Sequence, residues 1–269
     1  MGTLVSFHAH PDDESIGTAG TLAKAAALGH RVVLVFATRG ELGRSVPGVL
    51  AEGENLAVRR SAECYASAKE LGVARVEFLG YVDSGPAGEP GAEAPYSFAQ
   101  VPTEQAARRL ALVLEDEEAD VLTTYDDNGG TGDPDRIKVH QVGQRAGELA
   151  GVPVVAQSTT NRDWMLRGMR GLRSERGEAA PDIEIPDEAP AIGKPESEIT
   201  HRVEAVEYAE QKRNSMRAHA SQMGPDHFLL TMPDAVFAMG LGTEFYIVDE
   251  PPNPASAPDV WTDVFEPMR

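Results

Sequence analysis

Short apolar runs alternate with helical segments over the first 160 residues, and this alternation limits the folds that the chain can adopt. After its first residue, the run Arg31–Ala37 is continuously apolar and rich in valine, which is typical of a strand buried on both faces of a parallel sheet. Five such strands are predicted: Thr3–Phe7, Arg31–Ala37, Arg75–Leu79, Asp120–Thr124 and Val152–Ala156. We therefore expect an α/β fold with a doubly wound, mostly parallel, Rossmann-like sheet of order 3-2-1-4-5.

Helices are predicted between these strands from apolar periodicity and from boundary residues such as Gly29, Gly72 and the capping Thr103. The predicted helices are Ser15–Leu28, Asn55–Leu71, Thr103–Glu117 and Ile137–Ala150. Beyond the fifth strand, His201–His219 is predicted as a helix and Phe228–Val248 as one or two strands. We interpret these as C-terminal additions to a single domain, residues 1–269.

Three stretches interrupt the alternation. Gly80–Gln100 is rich in proline, glycine and alanine, which predicts a long loop, and loops of this length are usually functional or mobile. Arg173–Ile199 is rich in acidic residues and proline, which predicts a mobile excursion or lid. The proline-rich residues 251–269 are expected to form an extended tail.

Composition excludes several classes of function. The chain has 43 acidic and 24 basic residues, a net charge of −19 that would repel nucleic acids and anionic membrane surfaces. No apolar run approaches the roughly 20 residues of a membrane span, and Met1 leads into a strand without a signal-peptide pattern. The single cysteine, Cys64, excludes an internal disulfide. We expect a cytoplasmic protein with a small-molecule partner, and the sequence predicts no oligomeric state.

The heptad His8-Ala9-His10-Pro11-Asp12-Asp13-Glu14 holds two imidazoles and three carboxylates where the first strand ends. Ligands of open α/β sheets bind at the carboxyl ends of the strands. A histidine and an aspartate held together there can bind a divalent cation, while a second carboxylate acts on water. The alternative is a solvated turn whose acidic residues cap the next helix. The crowding of these residue types favours the metal site.

A second polar loop, Tyr125–Arg136, follows the fourth strand, which lies beside the first strand in the predicted order. The two loops should therefore face each other. Carboxylates and glycines also fit a calcium site or a simple turn, but the glutamate that completes a calcium-binding helix-loop-helix is absent. His140 follows Arg136 by about one helical turn, so both side chains should project from one face of the helix.

Together, the two loops resemble the zinc-dependent deacetylases of the PIG-L/LmbE type, over about residues 3–160. The heptad carries the resemblance together with Gly129-Gly130-Thr131-Gly132-Asp133-Pro134-Asp135. The resemblance implies a bacterial, metal-dependent hydrolase that cleaves the amide of a small, sugar-containing substrate, such as an N-acetylglucosamine conjugate or a mycothiol-pathway amide. It also implies one bound divalent metal ion, which is zinc or another divalent ion in the place of zinc.

The resemblance assigns roles residue by residue. His10 and Asp13 match the first two metal ligands of the family, and Asp12 matches the general base that takes a proton from water. Arg60 and Asp83 match positions that contact sugar hydroxyls.

Both substrate contacts have a structural alternative. Arg60 is also placed to form an ion pair with Glu63 or Glu54 near its own helix. Asp83 precedes Ser84-Gly85 and also fits a turn-forming residue.

The second loop departs from the family pattern at three positions, since Thr131, Asp133 and Arg136 stand where the family has Tyr, His and the third metal-binding His. An arginine offers no lone pair and cannot ligate a metal. His140 is the predicted third ligand, with Asp133 or Asp135 as alternative oxygen ligands. Arg136 is expected to contact the substrate. Its guanidinium could stabilise negative charge that develops during the reaction, or bind a carboxylate or phosphate of the substrate.

Three hypotheses for the function follow. The first is a metal-dependent amidohydrolase with a rearranged site. The second is a relative diverted to another metal-dependent reaction, such as transfer or redox chemistry, and the third is a non-catalytic protein that binds a small ligand. The first is favoured because His10, Asp12 and Asp13 all persist, and a binding protein has no chemical need for a base beside two ligands.

Overall fold

The computed structural model describes residues 1–86, 88, 90–176 (side chains to residue 171), 192–249 and 260–266. The strands within this part are β1 (Thr3–His8), β2 (Arg31–Phe36), β3 (Arg75–Phe78), β4 (Val121–Tyr125), β5 (Val154–Thr159), β6 (His201–Glu204) and β7 (Thr243–Ile247). They form one sheet in the order β3-β2-β1-β4-β5-β7-β6. The first five strands are parallel, whereas β7 runs antiparallel to both β5 and β6. The predicted α/β class and the order 3-2-1-4-5 are confirmed.

The central strands are buried because both faces of the sheet carry apolar side chains under helices. Residues 32–36 of β2 are all completely inaccessible to solvent. In β1, Leu4 packs into one apolar cluster, while Val5 and Phe7 pack into the cluster on the opposite face. This alternation is the pleat of the strand. The parallel pairing of β1 with β4 places the carboxyl ends of these two strands side by side, at the edge where both polar loops begin.

The helices that flank the sheet are α1 (Asp13–Gly17), α2 (Ala19–Ala27), α3 (Leu56–Glu70), α4 (Thr103–Asp116), α5 (Pro134–Ala150), α6 (Arg162–Arg176), α7 (Ala209–Ala218), α8 (Phe228–Thr231) and α9 (Asp234–Leu241). Helices α3, α4 and α5 confirm three predicted helices, although α5 begins three residues earlier than expected. Its start is set by the Asp133 carboxylate, which accepts from the backbone N–H groups of Asp135 and Arg136. Gly151, with a φ of 65°, ends this helix.

The predicted helix Ser15–Leu28 is divided at Thr18 into α1 and α2. Thr18 has a φ of −136°, outside the helical range, and its hydroxyl donates to the carbonyl of Glu14. A local side-chain bond of this kind competes with the regular helix ladder. The short helix α1 begins already at Asp13, so the heptad starts at the last residue of β1, continues as a turn and ends in the first two residues of α1.

The C-terminal additions differ most from the sequence-based prediction. The predicted helix His201–His219 is wrong in its first part, since β6 occupies residues 201–204 and α7 begins only at Ala209. In Phe228–Val248, two short helices precede the single strand β7. Strand β6 forms because β7 pairs with one edge, while Trp261 exchanges backbone hydrogen bonds with Thr200 and Arg202 along the other (2.8 Å each). Such long-range pairing overrides local periodicity.

The predicted loop Gly80–Gln100 is closed by a parallel bridge between Val82 and Ser97 and contains one short 3-10 turn, Pro90–Glu93. Of the predicted lid Arg173–Ile199, residues 173–176 belong to α6, while 177–191 lie outside the described residues. Of the predicted tail, residues 260–266 are described and 251–259 and 267–269 are not. Among the described helices, none has the length and apolar character needed to cross a membrane.

Candidate functional site

Asp12 occupies a strained turn between β1 and α1. Its φ of 98° is a conformation that residues other than glycine seldom adopt. The Asp12 N–H donates to Glu14 Oε2 (3.0 Å), and Ser15 donates to the Asp12 carbonyl through its N–H (3.1 Å) and its hydroxyl (2.7 Å). Strain of this kind persists where the surroundings enforce it, often at functional sites. The turn leaves the Asp12 side chain 18% exposed, whereas Asp13 and Glu14 are buried.

Arg60 of α3 binds the backbone of this turn. Its guanidinium donates from Nη1 to the carbonyl of Gly40 (2.7 Å) and from Nη2 to the carbonyl of Pro11, and Nη2 lies 3.5 Å from Asp12 Oδ1. The Arg60 side chain is only 4% exposed. Burial raises the pKa of Asp12 to about 6, and the Arg60 charge opposes this shift. Arg60 therefore binds the backbone around Asp12, and its contact with a substrate stays a prediction.

The ion pairs considered as alternatives for Arg60 are not formed. Glu54 instead binds Arg59, with Nε–Oε1 and Nη2–Oε2 distances of 2.6 and 2.7 Å. Glu63 accepts from the N–H and the hydroxyl of Ser221. Helical spacing suggested these pairs, but α3 turns Arg60 inward toward the end of β1.

The buried Asp13 forms an ion pair with the partly exposed Arg136 between the two polar loops. Arg136 donates to Asp13 Oδ1 from Nε (3.0 Å) and Nη2 (2.6 Å), and its Nη1 donates to the hydroxyl of Thr131 (3.1 Å). Burial disfavours the charged Asp13, but the Arg136 guanidinium and then His10 outweigh it and hold the pKa of Asp13 well below its usual range. The position of the family's third metal ligand is thus taken by a cation bound to Asp13.

His10 lies between carboxylates on both sides of its ring. Its Nδ1 is 3.6 Å from Asp13 Oδ2, while its Nε2 is 3.2 Å from Asp135 Oδ2 and 3.5 Å from Asp83 Oδ1. One ligand atom from each of His10, Asp83 and Asp135 lies within 4.8 Å of the others. Burial works against a charged imidazole, yet these carboxylates raise the pKa of His10 well above its usual value. Burial also opposes ionisation of Asp83, but His10 and backbone N–H groups bring its pKa to about 2.

The group of His10, Asp83 and Asp135 fits a divalent metal. With metal–ligand distances of 2.0–2.2 Å, tetrahedral ligands stand roughly 3.3–3.6 Å apart, close to the observed 3.2 and 3.5 Å. Ser84 fixes Asp135 through its N–H (2.9 Å) and its hydroxyl, while the N–H groups of Leu42 and Gly85 fix Asp83. One imidazole and two carboxylates are ligands that zinc and related ions accept, and hydrogen bonds to such carboxylates orient them.

The remaining predicted ligands lie apart from this group. His140 directs Nδ1 to the backbone carbonyl of Tyr125 (3.0 Å), and Asp133 caps α5. The structure brings His10 and Asp13 together but does not add His140 to them, so ligation by His140 stays a prediction. Asp133 and Asp135 are the alternative oxygen ligands predicted from the sequence, and of these two Asp135 lies beside His10.

Two contacts at the site are not predicted by local spacing. Ser84, which in the sequence is notable only as the neighbour of the candidate Asp83, binds Asp135 across 51 residues. Glu14 accepts from His219 Nε2 and from the Ser67 hydroxyl, so it anchors α1 to α7 and α3. His219 is completely buried in this contact. These contacts join distant parts of the chain, and no local spacing predicts them.

A cavity of about 540 Å³ opens beside the Asp13–Arg136 pair. Its walls come from α1, the second polar loop, the end of β5, α6, α9 and β7. Apolar side chains dominate these walls, among them Ile16, Trp164, Met165, Met169, Met232 and Met239. The volume is in the range of small-molecule sites.

Comparison with known proteins places this arrangement in a family. The model of the family described as "PIG-L: GlcNAc-PI de-N-acetylase" matches residues 5–147 of the 269. A 1D-myo-inositol 2-acetamido-2-deoxy-alpha-D-glucopyranoside deacetylase of Saccharomonospora viridis is 34% identical over 270 residues, covering 96% of this chain and 99% of the relative. The enzyme of the same name from Nocardiopsis dassonvillei is 40% identical over 239 residues, covering 80% and 83%.

The fold has a solved counterpart as well. The N,N'-diacetylchitobiose deacetylase from Pyrococcus horikoshii superimposes with a TM-score of 0.60 at 20% identity, over 92% of this chain and 83% of that one. The named relatives are deacetylases, and therefore amide-cleaving hydrolases, which is the class that the sequence predicts here. The family model matches more than half of the chain, and the relatives are similar over most or nearly all of their length. Both comparisons give the same family as the resemblance of the two polar loops, and this chain therefore belongs to the PIG-L family.

Proposed function

We propose that this protein is a metal-dependent amide hydrolase that removes an acyl group from a small amino-sugar conjugate. The observation that carries the proposal is the Asp12 carboxylate, held in a strained turn at the end of β1 next to the Asp13–Arg136 pair. Asp13 and Arg136 both line the cavity, so a bound amide would meet these groups at its wall. A carboxylate base beside fixed charges suits attack of water on an amide carbonyl.

Asp12 is the general base of this proposal. Burial raises its pKa to about 6, within reach of neutral pH. A group in that range can take a proton from the attacking water and then return it to the departing amine. Arg60 keeps the turn in place through the carbonyls of Pro11 and Gly40, so it supports the base without touching the reacting atoms.

Arg136 stabilises the negative charge that develops on the carbonyl oxygen. Its side chain is 29% exposed and lines the cavity, while Asp13 fixes its orientation with two hydrogen bonds. A guanidinium held in this way is a preorganised donor for an oxyanion. In the family pattern, a tyrosine and a histidine stabilise the oxyanion, and Thr131 and Asp133 stand at their positions here. Arg136 would take over this stabilisation.

His10, Asp83 and Asp135 would hold the metal ion, in place of His10, Asp13 and His140. The observation in favour is that these three ligand atoms converge, whereas Asp13 is occupied by Arg136 and His140 by a backbone carbonyl. Zinc suits this mixed nitrogen and oxygen set, and manganese or iron are the other candidates. When bound, the ion would polarise the amide and favour ionisation of water. Asp83 then serves as a ligand and not as a sugar contact.

The relatives named above are deacetylases of a glucosamine–inositol conjugate, which supports a glucosamine conjugate as the amino-sugar part of the substrate. A cytoplasmic location is part of the same proposal. A chain with a single cysteine cannot form an internal disulfide, and it therefore needs no oxidising compartment to fold.

Release of free amine from N-acylated glucosamine conjugates tests the proposal. Purified protein should liberate amine, lose the activity in EDTA, and recover it when zinc is restored. No amine release at any metal loading would contradict the hydrolase and leave the ligand-binding hypothesis. Activity that persists after complete metal removal would contradict the metal requirement alone.

A further inference from the structure

The wall of the cavity beside Arg136 is unusually rich in flexible apolar side chains. Met165 and Met169 of α6 line it together with Met232 and Met239 near α8 and α9, and Trp164 adds an aromatic side chain. The side chain of Met239 is 43% exposed and that of Ile16 is 39% exposed. Methionine adapts to irregular or mobile apolar ligands because its side chain is unbranched and polarizable. A concave apolar surface of this kind marks a binding site.

Several polar groups in the same wall are already bound within the protein. Glu244 accepts from the N–H groups of Gly20 and Thr21 and from the ammonium of Lys212. The hydroxyl of Ser158 donates to the carbonyl of Gly17, and that of Thr159 donates to Asp126. A sugar ring bound here would lose hydrogen bonds to water and find these partners engaged, which is costly. The wall therefore suits a hydrocarbon and not a sugar.

We propose that this cavity binds the acyl chain of the scissile amide, and that the preferred substrates are amino sugars acylated with an unbranched chain much longer than acetyl. The carbonyl would lie at the polar end, at Asp13 and Arg136, and the chain would extend between the methionines. Water adds to the carbonyl carbon, the C–N bond breaks, and Asp12 passes the proton to the amine, so that a fatty carboxylate and a free amino sugar are released.

This inference rests on the proposed function for the reaction, but its binding energy comes from the cavity alone. Each buried methylene contributes about 0.8 kcal/mol, or roughly fourfold in affinity. Octanoyl has six methylenes more than acetyl, so even partial burial predicts a gain on the order of 100-fold.

Steady-state kinetics on N-acetyl-, N-butyryl- and N-octanoylglucosamine conjugates measures this gain. We expect kcat/KM to rise with chain length, by on the order of 100-fold from acetyl to octanoyl. Met165→Gln places a polar amide in the wall and should reduce the octanoyl-to-acetyl ratio at least tenfold, and Met239→Gln, at an exposed position, provides a second variant. Leu112→Gln, 66% exposed on α4, is the matched control and should preserve the ratio. A ratio at or below one in the wild type would overturn the inference.

Product binding provides a test that needs no turnover. Isothermal titration calorimetry with octanoate and acetate compares two anions that differ only in the chain. We expect octanoate to bind at least tenfold more tightly in the wild type, and the difference to shrink in Met165→Gln. Equal affinities would overturn the acyl subsite even if the enzyme hydrolyses amides. Selective octanoate binding by a protein that hydrolyses no amide would uphold the subsite and contradict the proposed function.

Discussion

The carboxylates around His10 differ in how firmly each is held in its charged form. Asp13 is tied to Arg136, and its pKa lies well below the usual range because Arg136 and His10 outweigh its burial. Asp83, beside His10, has a pKa of about 2. Asp12 is different, since burial lifts its pKa to about 6 and the Arg60 guanidinium stays 3.5 Å away. Titratable neighbours with separated pKa values commonly have separate roles, and this separation points to Asp12 as the base.

Replacement of Asp12 by asparagine removes the proton acceptor while it keeps the size of the side chain. We expect Asp12→Asn to lower kcat by about 10²–10⁴, the usual contribution of a general base, with little change in KM. Glu52→Gln, at an exposed turn, is the control for loss of one negative charge. If Asp12→Asn retained more than a tenth of wild-type kcat, another group would have to act as the base.

Metal content distinguishes the two candidate ligand sets. Asp83→Asn takes a charged oxygen from the group of His10, Asp83 and Asp135, so we expect zinc per chain, measured by elemental analysis after dialysis, to fall well below that of the wild type. His140→Gln should retain the wild-type content, since His140 binds a backbone carbonyl. The reverse pattern, with zinc lost only in His140→Gln, would support the ligand set predicted from the sequence.

Arg136 combines a positive charge with a fixed direction. Arg136→Lys keeps the charge but cannot form both hydrogen bonds to Asp13, and Arg136→Met leaves the buried Asp13 without its cation. We expect kcat/KM to fall about tenfold or more for lysine and by about 10²–10³ for methionine. The two variants should also differ in melting temperature, with methionine the lower. Equal kcat/KM values in the wild type and Arg136→Met would remove Arg136 from the chemistry.

At the scale of elements, β1 and its following turn could be predicted while β6 could not. Strand β1 has its apolar pattern and its heptad within one short segment, and local signals were sufficient. Strand β6 has only four residues and exists through β7 on one side and Trp261 on the other. Its sequence alone fits the start of a helix, so partners more than 35 residues away along the chain decide its structure.

His201 makes the stability of this edge depend on pH. Burial lowers its pKa to about 4, its Nδ1 contacts the Thr200 hydroxyl (2.8 Å), and its ring stacks on Trp261. Because the folded-state pKa lies below the unfolded value of about 6.5, the unfolded chain binds the proton first as the pH falls. Stability from the neutral His201 is therefore present above pH 6.5 and is lost between about pH 6.5 and 4.

A phenylalanine at this position has no proton to gain. We expect the free energy of unfolding of the wild type, from urea denaturation, to fall relative to that of His201→Phe by about 1–3 kcal/mol between pH 7 and pH 4. Parallel curves for the two proteins over this range would show that His201 does not titrate on unfolding. Trp261 fluorescence, compared with that of Trp164, reports whether the edge opens separately.

For the whole molecule, the sequence predicts the scaffold better than the site. Five strands and their order follow from apolar runs, because central parallel strands are buried whatever the loops do. The heptad identifies Asp12, His10 and Asp13 for the same local reason. The convergence of His10 with Asp135 joins residues 125 positions apart, and the pairing of Asp13 with Arg136 depends on the juxtaposition of β1 and β4. No spacing along the chain predicts either contact.

The central claim is that the folded protein directs water onto an acyl carbonyl. Hydrolysis in H₂¹⁸O tests it most directly, with mass spectrometry of the carboxylate released from an N-acylglucosamine conjugate. We expect one ¹⁸O atom in the released carboxylate and none in the amino sugar, at a rate that falls at least a hundredfold in Asp12→Asn. Carboxylate released without ¹⁸O, or an acyl group passed to another acceptor, would contradict it.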